Sequence, residues 1–141
     1  MRIRVLDMLV CIIDRHYPLK FHIFQEKIYD DVMLPKADEN TKVICQYYCG
    51  KKELKLAEKK DGKFQLLTSN LEKIDYDTDC LECFKTEIVA GVLICPECNT
   101  YYPIIDDIAV IKKPELRVEE DEKEFTEKWA SQLKELLSSK K

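Results

Sequence analysis

Three glycines and two histidines are all that 141 residues contain of those types. No stretch here carries the several glycines that a phosphate-cradling loop needs, so a nucleotide fold of the dinucleotide or P-loop kind is not expected. Two histidines leave little for general-base chemistry, and no nucleophile–base set is recognisable. Excess positive charge is missing too. Lys and Arg number 23 against 27 Asp and Glu, a net charge of -4, which argues against a broad phosphate-binding face. The longest charge-free apolar run, "IVAGVLIC", is far shorter than a membrane span. The start, "MRIRVLDMLVCII", has two arginines and an apolar stretch like a signal peptide. Asp7 interrupts it and no small-residue cleavage site follows, so it reads as a folded segment in a cytoplasmic protein.

What the chain does have is cysteine: Cys11, Cys45, Cys49, Cys80, Cys83, Cys95 and Cys98. In a reducing compartment, paired cysteines point to metal before disulfide. Two pairs are Cys-x-x-Cys, a spacing that aims two thiolates at one ion, and structural zinc takes four ligands. Cys45 and Cys49 are four apart, which would place both on one face of a helix. One partition makes a four-cysteine ribbon of Cys80, Cys83, Cys95 and Cys98. Another uses all seven: Cys45, Cys49, Cys80 and Cys83 in one site, and Cys11, Cys95 and Cys98 with a non-cysteine donor in the other. Asp14 restores the Cys-x-x-ligand spacing for that donor, and His16 is the softer choice and the one expected.

Around these positions the pattern alternates between strand and helix. Ile3, Leu6 and Val10 fit a short helix ending near Cys11, and Leu19, Phe21 and Ile23 fit a strand with one buried face. "NTKVICQYYCGKKELKLAEKK" would start a helix capped by Asn40 or Thr41, with Gly50 stopping or bending it. Asp61-Gly62 marks a turn, and Leu67, Leu71 and Ile74 form a helical stripe. "TEIVAGVLIC" reads as a hairpin turning at Ala90-Gly91, and "YYPIIDDIAVI" as a further strand bent at Asp106-Asp107. Phe125, Trp129, Leu133, Leu136 and Leu137 line one C-terminal helix. In the strand after "CPEC", Ile104, Ile105, Ile108 and Val110 are candidate partner-binding residues. Alternation would put Ile104 and Ile108 on one face and Ile105 on the other.

"LDMLVCIIDRHYPLKF" together with "TEIVAGVLICPECNTYYPIIDDIAVI" resembles the tRNA-methyltransferase activator family, the multifunctional methyltransferase subunit, and within it the archaeal branch. The resemblance implies an α+β fold. A small zinc-binding β domain would be built from residues 1–29 and 84–117, around a mainly helical insert at 30–83, with a C-terminal helix at 118–141. It favours the partition that joins Cys11 to Cys95 and Cys98. Relatives often carry a second cysteine where this chain has Asp14 and His16. The resemblance further implies a non-enzymatic, cytoplasmic subunit. Such a subunit activates and stabilises S-adenosylmethionine-dependent methyltransferases acting on tRNA, rRNA or translation factors. It would pair with their catalytic subunits as heterodimers, meet RNA only through the complex, and engage no membrane. The alternative reading is a free-standing zinc-ribbon module binding RNA or a transcription or translation complex.

Overall fold

The computed structural model describes residues 1–35 and 44–138. Among these residues eight strands and four α-helices follow in chain order. They are β1 (Lys20–Ile28), β2 (Tyr48–Cys49), β3 (Leu54–Lys55), β4 (Ala57–Lys60), β5 (Lys63–Leu66), α1 (Thr68–Leu71), α2 (Leu81–Lys85), β6 (Thr86–Ile94), β7 (Tyr101–Ile105), β8 (Ile108–Ala109), α3 (Glu119–Lys128) and α4 (Ala130–Ser138). The fold is α+β, as expected. The chain divides into two compact units, one of Met1, Val10–Glu26 and Ile88–Lys141, the other of Arg2–Leu9 and Lys27–Glu87.

The first unit is built on a sheet ordered β1-β6-β7-β8. The expected hairpin at Ala90-Gly91 is absent, and β6 runs straight through both residues. Gly91 serves close approach instead of a turn. A Cβ at that position would stand 2.4 Å from the His22 carbonyl oxygen and 3.2 Å from Ile88, so only glycine lets the backbone pass. The actual turn lies at Asp106-Asp107, whose φ values of 47° and 71° fit a two-residue hairpin with both central residues left-handed. The expected bent strand is therefore two strands, β7 and β8.

That turn also reverses a face assignment. Ile105 pairs with Ile108 and Ile104 with Ala109. Paired residues share a face, so Ile108 sides with Ile105. On that face Ala90, Val92 and Ile94 are buried with Phe125 and Leu133, and Phe24, Tyr101, Ile105, Trp129 and Leu136 pack against them. The expected C-terminal stripe is thus the helical half of this core. It is carried on two helices, because Trp129 leaves helical angles (φ -110°, ψ 22°). The Leu133 N–H still reaches the Trp129 carbonyl at 2.9 Å. The other face buries Leu93 opposite Tyr102. Just before α3, Arg117 forms a two-point pair with Glu122 (Nε to Oε2, 2.9 Å) and donates to the Tyr101 carbonyl at 3.0 Å.

The second unit departs furthest from expectation. Asn40 and Thr41, the expected helix caps, lie outside the described residues. From residue 44 the chain forms hairpins and not a helix: β2 pairs with β3, and β4 with β5 across the Asp61-Gly62 turn. The N–H groups of Gln46, Tyr47 and Tyr48 donate to the Asp7 carboxylate at 2.7–2.9 Å. Donors held there are lost to an i→i−4 ladder, so one acidic side chain competes with the helix. The N-terminal helix is a 3-10 turn over Ile3–Asp7 and stops short of Cys11. Among the described residues beyond Gly50 helix comes in short pieces, in α1, a π-helical turn at Tyr76–Cys80, and α2.

Candidate metal centre

Two loops of the first unit, residues 11–16 and 95–100, close in the same way. The Cys11 N–H donates to the His16 carbonyl at 2.9 Å, and the Arg15 N–H to the Cys11 carbonyl at 2.8 Å. In the other loop Cys95 N–H donates to Thr100 and Asn99 N–H to Cys95, both at 2.9 Å. The fifth residue of each loop is left-handed, Arg15 at φ 62° and Asn99 at 61°. In each, the N–H groups two and three residues on, from Ile13 and Asp14 or from Glu97 and Cys98, turn toward the first cysteine's sulfur. Such donors favour the thiolate.

These loops bring four donors together. Ligand atoms of Cys11, Asp14, Cys95 and Cys98 all lie within 4.8 Å of one another. The Cys11 and Cys98 sulfurs are 3.6 Å apart, and the Cys95 sulfur is 3.5 Å from both Asp14 carboxylate oxygens. Two thiolates bound at about 2.3 Å to one tetrahedral ion stand about 3.8 Å apart, so the sulfur spacing suits a shared metal. The group can hold a metal ion and is compatible with zinc.

His16, the expected fourth donor, is not in this group, and the loop geometry gives the reason. Asp14 occupies the position that Cys98 holds in the sister loop, whereas His16 matches Thr100, whose backbone closes the turn. The His16 N–H donates to Asp14 Oδ1 at 2.9 Å, and that bond holds the Asp14 carboxyl below its usual range. Sequence reasoning missed Tyr102, whose hydroxyl lies 3.1 Å from the Cys11 sulfur and accepts the Ile12 N–H at 3.3 Å. Burial works against the Cys11 thiolate, yet the Tyr102 contact and the backbone donors bring the thiol below its usual range. Burial pushes Cys95 up to about 12.

Cys45, Cys49, Cys80 and Cys83 are placed in the second unit, around a single cavity. Of the candidate partner residues, Ile104, between Gly91 and Ala109 in the sheet, is fully buried and so unavailable as a surface contact. Ile105 and Val110 are half-buried, while Ile108 is 67% exposed on β8. Among the described residues no helix is long and apolar enough to cross a membrane.

No curated protein and no solved structure matches the chain. The family model described as "Trm112p-like protein" matches residues 2–107, a span that takes in both loops of the candidate metal centre and the Asp106-Asp107 turn. With three-quarters of the sequence under that match, the chain belongs to the Trm112p-like family, whose members activate methyltransferases without being catalysts themselves.

Proposed function

We propose that this protein is the non-catalytic activating and stabilising subunit of S-adenosylmethionine-dependent methyltransferases that act on tRNA, rRNA or translation factors. It works in the cytoplasm as one half of a heterodimer with each catalytic subunit. The observation that carries this reading is the family match over residues 2–107. The sheet supports it. Among the described residues strand β8 is an edge, and an edge offers main-chain hydrogen bonds to a partner's strand. Ile108 stands exposed on that edge, and Val10 and Ile13, near Cys11 in the chain, are exposed as well. RNA contact through the catalytic subunit suits the net charge of -4.

Zinc is the metal this reading places at Cys11, Asp14, Cys95 and Cys98. Three thiols and a carboxylate make a full set of four for zinc, and a site with four protein ligands is structural. Zinc bound there supplies a cross-link between loops 11–16 and 95–100. Tyr102 and the backbone donors hold the Cys11 sulfur ready for it, which keeps the base of β7 fixed relative to its neighbours.

Capture of the tagged full-length protein from its own cells, followed by mass spectrometry, tests the reading. A catalytic methyltransferase subunit is expected in near-equal amount, resistant to ribonuclease. Ile108→Asp should lose it while keeping the wild-type circular dichroism, because a charge would enter an apolar interface. Recovery of RNA-dependent complexes without a methyltransferase would overturn the proposal.

A further inference from the structure

We propose that Cys45, Cys49, Cys80 and Cys83 form a second metal site, a closed four-thiolate site for a soft divalent cation of the zinc class. The first argument is convergence. All four side chains border one cavity of about 20 Å³, together with Arg4, Lys51 and Asp79. That is room for a single water-sized body. Water would find mainly thiols there, which are weak partners, whereas a soft cation finds four preferred ligands.

The second argument is a turn that occurs three times. Cys49 pairs with Leu54 across the β2–β3 turn, as Cys11 bonds to His16 and Cys95 to Thr100, five residues on in every case. Glu53, the fifth residue of this turn, is left-handed at φ 53°, like Arg15 and Asn99. The N–H groups of Lys51 and Lys52, two and three residues after Cys49, turn toward its sulfur. The two loops that hold the first metal group therefore have a third copy, and the third copy opens on a cysteine facing three others. Its fourth position is Lys52, which supplies no ligand. Cys80 and Cys83 fill the set from either side of the start of α2, three apart and so on one helical face. The Ile44 N–H faces the Cys80 sulfur and the Arg4 N–H the Cys83 sulfur.

Charge agrees. Four thiolates around a divalent ion leave two negative charges. Arg4 and Lys51 on the cavity wall bring positive charge to it, Lys51 also pairing with Glu82 at 3.7 Å, and Asp79 is already engaged by Lys52 at 3.4 Å. No three of these sulfurs meet the mutual 4.8 Å spacing of the first group. Binding draws them inward onto the ion, and each thiol releases its proton to solvent as it binds.

The site does not depend on which partner the protein activates. Its test is metal stoichiometry on the full chain, expressed with zinc and dialysed without chelator. The wild type is expected to hold about two zinc ions per chain, and Cys49→Ser and Cys95→Ser about one each. A wild type holding one zinc that Cys49→Ser keeps would overturn the proposal. Cobalt titration of the wild-type chain gives a readout that needs no variant. Saturation near two equivalents, with cobalt–thiolate absorption rising in both steps, is expected. Saturation at one equivalent, or four of the seven cysteines recovered as disulfides, refutes the second site.

Discussion

The two units use the same residue type in opposite ways. In the first, the buried cluster of Ala90, Val92, Ile94, Phe125 and Leu133 contains no cysteine, and the thiols sit in loops beside the sheet. In the second, two of the four buried cluster members, Cys49 and Cys80, are themselves cysteines, joined only by Leu56 and Ile74. A β-sheet faced by two helices buries enough apolar surface to hold without a staple. Hairpins of two to four residues do not. On the proposed reading a metal would pin loops to a finished core in the first unit, whereas in the second the proposed ligands are themselves part of the core.

Chelation should expose that difference most strongly. Hydrogen exchange is expected to quicken in β2, β3 and α2 by on the order of a hundredfold, about 2.7 kcal/mol. Strands β6 and β7 should keep their protection. Equal loss in both units would break the comparison. Arg117→Ala works the other way, acting on the first unit with no metal involved. It strands the buried Glu122 carboxylate and should cost about 3 kcal/mol in urea unfolding. Gly91→Ala forces a Cβ against the His22 carbonyl and should cost about 1–3 kcal/mol, again without changing zinc content. Smallest of all, Ile108→Asp should change stability by less than about 0.5 kcal/mol, since its side chain leaves the core undisturbed. A larger drop would mean that Ile108 belongs to the core and is no docking residue.

Much of this was legible from residues alone. The stripe from Phe125 to Leu136 follows from periodicity, because it buries one side against a single core, and the strand after "CPEC" follows from its apolar run, which is buried on both faces. Grouping Cys11 with Cys95 and Cys98 took the family resemblance, since residues 80 and more apart carry no spacing signal. Three features were hidden for physical reasons. Gly91 looked like a turn because glycine marks both turns and close contacts, and only the neighbouring strand decides between them. The helix expected around Cys45 and Cys49 had a helical pattern, but Asp7, some 40 residues earlier, takes its donors. His16 was the chemically softer donor, yet the loop closes through its backbone and presents Asp14. The matching positions in "CIIDRH" and "CPECNT" were available in the sequence, and aligning the two loops would have chosen Asp14.

The hydrogen bonds that close the loops at Cys11 and Cys95 run through backbone groups. Their fourth positions, Asp14 and Cys98, are therefore free to differ in chemistry without changing the shape of the chain, and Lys52 holds the same place at Cys49. A single codon there sets whether the loop contributes a hard ligand, a soft ligand or none. Asp14→Cys should make the first site match the proposed second one in thiolate number, with a zinc affinity raised by about tenfold, or about 1.4 kcal/mol, in a competition assay against a zinc chelator. If the proposed sites bind metal, the turn would act as a socket whose metal preference could drift by point mutation while the backbone that shapes it stays fixed.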